Sequence, residues 1–291
     1  MVTGTAALLG CIVAGAANLR HGSVGTAAVA AVSSSEPGLS PETEAAASPE
    51  ADLDALLAGE LARVAPDGDV QLSVAVMDLE SGDRAVFESG RYDTASIVKV
   101  DILAALLLQA QDAGRALTSR ERTQATSMIR SSDNTATNAL WDTIGGAPGL
   151  DSANERLGLT ATSAGHNGNW GLTQTTAEDQ LILLDSIFGL ESPLSQADRD
   201  FIEDLMESVA PDQDWGVSVA DSSAALKNGW LPRTATGLWD INSIGRVDIE
   251  GRDCLIAVLS DGNLTQADGI ALVEDATQAA VSVISTAGRA S

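Results

Sequence analysis

In the stretch "YDTASIVKVDILAAL" (92–106), Ser96 stands three residues before Lys99, on a segment otherwise apolar enough to form a buried helix. If Ser96 opens that helix, Lys99 lies one turn further on and on the same face. A lysine buried there loses the solvation of its ammonium, and its pKa falls toward neutrality. A neutral amine within hydrogen-bond reach of a hydroxyl can take its proton and turn the oxygen into a nucleophile. Arginine cannot serve, because it does not deprotonate. The choice of residue is conspicuous in a chain whose 16 Lys and Arg residues include only two lysines, Lys99 and Lys227.

Two further stretches carry residues suited to the same chemistry. "MIRSSDNTATNALW" (128–141) places Ser132, Asp133 and Asn134 ahead of a helical run. A second serine there can relay a proton to a leaving group, and an asparagine can hold a substrate amide. "LKNGWL" (226–231) places Lys227 before Asn228 and Gly229 on an expected strand. A lysine on an inner sheet edge can anchor a substrate carboxylate, and Gly229 lets a substrate backbone come close. Each stretch alone has an ordinary meaning: a surface lysine near a helix start, a helix N-cap, and a solvated strand lysine before a turn.

The elements that must position these residues follow from periodicity. Residues 51–64 have leucines near helical spacing, and 71–90 alternate, turn at Ser81, Gly82 and Asp83, then alternate again as a hairpin. Helical segments run from Ile97 to about Leu190 and again near 194–209. Strand character returns at 224–231, 237–250 and 253–262, and an amphipathic helix fills 265–287. Strands near both ends therefore bracket a helical middle. The simplest packing is an α/β (α+β) fold: an antiparallel five-stranded sheet flanked by the first and last helices, plus a mainly helical lobe. A cleft between them is where ligand sites concentrate.

In this chain order, S-x-x-K, then S-D-N, then a lysine-glycine triad, the sequence resembles the class A-like serine β-lactamase and penicillin-binding protein superfamily over roughly residues 51–288. Both lysines of the protein fall in motif positions. The resemblance implies Ser96 as the acylated nucleophile, Lys99 as its base, Ser132 as the proton relay and Asn134 as a substrate hydrogen-bond donor. It implies Lys227, Asn228, Gly229 and Trp230 as substrate-binding residues, with the backbone N–H groups of Ser96 and Trp230 as oxyanion hole. The implied substrate is a small molecule or peptide bearing a carboxylate: a β-lactam, a D-alanyl peptide or an ester.

Two departures stand out. Asn228 occupies the position where the family carries Ser or Thr. The E-x-x-L-N loop, whose glutamate activates the deacylating water in class A β-lactamases, is missing from 154–184, because Glu155 comes too early and Glu178 too late. Efficient turnover of a β-lactam would then lack its usual base. His166, in that loop, is a candidate substitute base. The alternative function is a penicillin- or cell-wall-peptide-binding sensor domain that is acylated without turnover. A biosynthetic hydrolase with its own substrate is a third. A Ser-His-Asp triad is disfavoured, since no G-x-S-x-G elbow occurs. Of the tryptophans, Trp230 is expected to wall the cleft, and Trp170, Trp215 and Trp239 to fill core.

Composition narrows the partners. The formal charge is −25, from 41 acidic against 16 basic residues, which repels nucleic acid and anionic lipid. Cys11 and Cys254 lack metal-ligand spacing, so no metal and no cofactor is expected. Residues 1–32 read as a signal or membrane-anchor segment: 5–19 are apolar, "AVA" at 28–30 offers a cleavage site, and "LLGC" at 8–11 resembles a lipoprotein box without a polar tether after it. Residues 33–50, rich in Ser, Pro, Glu and Ala, read as a disordered linker. A monomer, secreted or attached to the cell envelope, is expected.

Overall fold

A computed structural model describes residues 52–64 and 70–290, so the signal or anchor segment and the linker lie outside the described residues. The sheet comprises β1 (Gln71–Asp78), β2 (Arg84–Phe87), β5 (Ala225–Pro232), β6 (Trp239–Ile249) and β7 (Arg252–Asn263). Two short strands, β3 (Tyr92–Asp93) and β4 (Gln174–Thr175), pair separately. The five strands run in the order β2-β1-β7-β6-β5, and every pairing is antiparallel. The α/β architecture is the one expected, with five strands and helices on both faces.

Side-chain alternation splits the sheet between two cores. On β7, Cys254, Ile256 and Val258 face a core shared with α1 (Leu53–Leu61) and α8 (Gln266–Ala290), while Leu255, Ala257 and Leu259 face the helical lobe. With both faces covered, this central strand reads as an unbroken apolar run. The lobe consists of α2 (Val98–Asp112), α3 (Ser119–Arg130), α4 (Asn134–Ile144), α5 (Gly146–Leu157), α6 (Ala177–Phe188) and α7 (Gln196–Met206). α2 is buried on all sides, and the residues it hides include Lys99 and Asp101. A fully enclosed helix of this kind gives its first turn, which carries Lys99, a fixed place.

Asp101 shows what that enclosure costs. The carboxyl is 1% exposed, and the Asn154 amide on α5 is its partner, donating to both its oxygens at 2.9 and 3.0 Å when oriented to satisfy both side chains. Burial pushes its pKa well above the carboxylate range, and the neighbouring Asp151 and Asp179 push the same way. The folded state therefore binds this proton more tightly than the unfolded chain does. The resulting penalty is absent below the unfolded pKa of about 4 and grows as pH rises above it. Asp101→Asn keeps the shape and removes the charge. Urea unfolding at pH 5 and pH 8 should find the variant gaining on the wild type as pH rises; a gap that narrows would refute this account.

The helix termini follow ordinary capping chemistry. Thr118 and Glu121 form a reciprocal capping box at the start of α3, and Thr176 and Ser195 cap α6 and α7. Between α5 and α6 the chain is largely irregular, and it is tied down by Asp179, which accepts from the Ala161 N–H and the Thr162 hydroxyl. The loop is brought to the cleft by β4, whose partner β3 leads directly into Ser96.

Candidate active site

Ser96 lies in a single 3-10 turn (Ala95–Ile97) that runs into α2, so Lys99 follows it on the first α-helical turn. The residue before it, Ala95, is held at φ 49°, a left-handed conformation rare for a residue with a Cβ. Such strain persists only where the surroundings over-determine it. Here Asn242 does so from β6: its Nδ2 donates to the carbonyls of Asp93 (2.9 Å) and Thr94 (3.1 Å), the two residues before Ala95. Directly across from Asn242 on β5 is Gly229. A Cβ there would lie 2.7 Å from the Ser96 nitrogen and 2.8 Å from the Thr94 oxygen, so the strand edge presses on the serine's own backbone.

Lys99 Nζ lies 2.9 Å from Ser96 Oγ. It also lies 2.7 Å from the Ser132 carbonyl oxygen, 2.9 Å from Ser132 Oγ and 2.9 Å from Asn134 Oδ1. Those are four oxygens for at most three protons, and no carboxylate is among them. The side chain is fully buried. Burial brings the amine down to about 7, against an opposing pull from the Asp133 carboxylate. Ser132 reaches Lys99 with both its oxygens because it too is left-handed, at φ 52°, just after α3 ends. Asp133 then caps α4 by accepting from the Ala136 N–H at 2.6 Å. The ordinary meaning of the S-D-N stretch, a helix cap, thus holds together with the clustering of Ser132 and Asn134 on Lys99.

On β5, Lys227 and Gly229 face the lobe, and Lys227 Nζ lies 3.2 Å from Ser132 Oγ. Lys227 is fully buried, and desolvation together with the nearby Lys99 charge holds its amine well below the usual lysine value. Asn228 is not part of this group. Strand alternation turns it to the other face, where it is fully buried and its Nδ2 donates to the carbonyls of Gln213 (2.8 Å) and Trp215 (2.9 Å). The residue expected to meet substrate is instead an anchor for the loop behind β5.

A hollow of about 500 Å³ opens over Ser96. Asn134, Asn138, Trp170 and Leu172 line it, as do Trp230 and Leu231 from β5. The indole of Trp230 leans on Trp215, with ring centroids 6.2 Å apart. Trp170, expected in the core, stands in the hollow half-buried. Its Nε1 donates to Asn138 Oδ1 at 2.8 Å, and its ring centroid lies 4.9 Å from Lys99 Nζ. His166 does not line the hollow. It is exposed at a turn closed by the Asn169 N–H on its carbonyl, followed by two residues of positive φ, Asn167 and Gly168. Glu155 is exposed on α5, and Glu178 is paired with Arg84.

Two residues that the sequence did not assign to the site, Trp170 and Asn242, therefore shape it. Trp170 carried a usable signal: a bulky aromatic in "HNGNWG", among small polar neighbours that offer no core to fill. Asn242 carried a weaker one, an amide between Ile241 and Ile244 on an inward strand. Among the described residues, no group of three or more His, Cys, Asp or Glu side chains is placed to hold a metal ion.

A five-stranded antiparallel sheet, a helical lobe and a Ser-Lys-Ser-Lys cluster with both lysines buried at their junction define a serine β-lactamase or penicillin-binding type of protein. The chain belongs to the beta-lactamase enzyme family, whose sequence profile matches residues 116–284. That match takes in Ser132 and Lys227 and starts beyond Ser96 and Lys99. Among curated proteins the chain is 30% identical over 174 residues to LppW of Mycobacterium tuberculosis and of Mycobacterium bovis, which its name gives as a lipoprotein. The aligned part is 55% of this chain and 54% of LppW, so the chain spans about half the length of those relatives. In fold it is similar to a class A beta-lactamase from Bacteroides cellulosilyticus, with 17% identity and a TM-score of 0.71 over 81% of this chain and 99% of that one. PBP-A is similar at 21% identity and a TM-score of 0.69, over 82% of this chain and 99% of that one.

Proposed function

We propose that the protein is an extracytoplasmic serine hydrolase that forms an acyl-enzyme on Ser96 with a carboxylate-bearing β-lactam, D-alanyl peptide or ester. The observation that carries this reading is the placement of a buried, carboxylate-free Lys99 amine 2.9 Å from the hydroxyls of both Ser96 and Ser132. The neutral amine takes the Ser96 proton as Oγ bonds to the substrate carbonyl carbon. The backbone N–H groups of Ser96 and Trp230 receive the charge that develops on the carbonyl oxygen. The carbon–nitrogen or carbon–oxygen bond then breaks, and the proton passes from Lys99 through Ser132 to the leaving group. Lys227, next to Ser132, holds the substrate carboxylate; arrival of an anion beside this buried amine favours its protonation. Water then cleaves the ester to free Ser96. A variant of PBP-A, a protein of the same fold, has a structure as an acyl-enzyme complex with penicillin G.

A second reading, a sensor acylated without turnover, is favoured by one observation: no carboxylate or histidine lines the hollow. Attachment to the envelope is supported by the name of LppW and by the apolar stretch at 5–19. Intact-mass spectrometry after incubation with a fluorescent penicillin, with the label mapped by digestion, separates the readings. A label on Ser96 that decays over repeated additions supports the hydrolase. A label on Ser96 that persists supports the sensor. No label with any penicillin or activated ester overturns both.

A further inference from the structure

We infer that Trp170 is a positioning residue for Lys99, supplying through its ring face a partial negative charge against an amine that no carboxylate touches directly. The inference rests on Lys99 being the base of the proposed reaction, although its test does not need that reaction.

The geometry carries it. Lys99 Nζ is surrounded on one side by the oxygens of Ser96, Ser132 and Asn134, and its remaining neighbour in the hollow is the Trp170 ring at 4.9 Å. An ammonium within about 6 Å of an indole centroid is attracted by the negative face of the ring, and more strongly where water is excluded. The indole is fixed by its Nε1 bond to Asn138 on α4, so it does not need to be ordered when the amine gains charge.

The charged groups that face this amine are few. Asp133 at the cap of α4 favours its protonation. Lys227 on β5 sits at the far side of Ser132 and opposes it. α2 brings only Asp101, which is turned to Asn154 on α5 and whose pKa burial raises. The 158–176 loop brings Trp170 itself, while its one histidine, His166, is exposed away from the hollow. Burial sets the amine's low value and Asp133 opposes it; the ring quadrupole adds to the side of Asp133 from 4.9 Å. A site with a carboxylate against the lysine would bury the indole's contribution under a much stronger Coulomb interaction.

The same contact bears on the reaction. The ring covers one approach to the amine, so Lys99 exchanges protons with the two serine hydroxyls it already touches rather than with bulk water. Trp170 thereby keeps the amine poised as a base for Ser96.

The chain's two lysines make a direct test feasible. Full-length protein labelled with 13Cε-lysine gives two side-chain signals, and Lys227→Met identifies which belongs to Lys99. In the wild type the Lys99 signal is expected to carry an upfield ring-current displacement and to titrate near neutrality. In Trp170→Leu the displacement should vanish and the midpoint should fall by roughly half a unit to one and a half units. Trp170→Phe, with a weaker ring face, should fall between the two and serves if the leucine variant folds poorly. Midpoints and shifts that coincide across wild type and either variant overturn the inference. Absence of Ser96 acylation in the same samples counts against the proposed function alone.

Discussion

Lys99→Met is expected to slow acylation of Ser96 by about 10²–10⁴-fold, the usual worth of a positioned general base, while raising the temperature at which the protein unfolds. The two effects have one cause. Burial lowers the amine from its ordinary 10.5 to about 7, so the unfolded chain binds this proton more tightly than the folded one between those values. The penalty for enclosing the lysine is fully present below about pH 7 and fades as pH climbs toward the unfolded pKa. Methionine has similar length and no charge to desolvate, so its gain in stability should be largest in mild acid and shrink in alkali. In the wild type, the acylation rate should rise with pH through about 7 and then level off, following the neutral amine. A variant acylated at the wild-type rate would show that Lys99 is not the base, and one less stable at every pH would overturn the burial penalty.

The second large effect is expected at Gly229. Alanine there would place a Cβ 2.7 Å from the Ser96 nitrogen, 2.8 Å from the Thr94 oxygen and 2.9 Å from the Ile97 nitrogen. All three are backbone atoms, so no side chain can swing away to make room. Either β5 lifts from the serine turn or the turn moves, and Asn242, clamped to the Asp93 and Thr94 carbonyls, resists the second. Overpacking of this kind costs about 1–3 kcal/mol, and a displacement near 1 Å at reacting atoms can cost about 10² in rate. Thermal unfolding and fluorescent-penicillin labelling of Gly229→Ala measure the two separately. Wild-type labelling by this variant would mean that β5 does not set the position of Ser96.

The elements were legible because their signals are local. The leucines of 51–64 mark one helix, the alternation of 71–90 two strands and the apolar runs of 224–262 three more. The lysine at 99 was legible for a different reason: placing the rarer base in an enclosed helix demands a chemical cause, and its spacing to Ser96 is set by helix geometry alone. Asn228 was misplaced because adjacency in sequence suggested adjacency in the site, whereas alternation along β5 sends Lys227 and Asn228 to opposite faces. The pairing of β3 with β4, about eighty residues apart, leaves no trace in either two-residue segment. Trp170 depends on that pairing for its place, so its contact with Lys99 was beyond any reading of periodicity. Asn242 was hidden similarly, since a strand amide declares its partners only once Asp93 and Thr94 are folded over it.

The left-handed turns at Ala95 and Ser132 have a consequence for how this hollow can change over generations. Glycine at either place would remove about 1–2 kcal/mol of Cβ crowding, but it would also free the unfolded chain by about 0.4–1 kcal/mol. The balance runs from level to about 1.6 kcal/mol in favour of glycine, so stability alone does not favour the side chain. What a side chain at these places provides is a narrow range of backbone directions, so Ser96 and Ser132 keep their aim between encounters. Drift toward glycine would yield a protein at least as durable with a blurred point of attack.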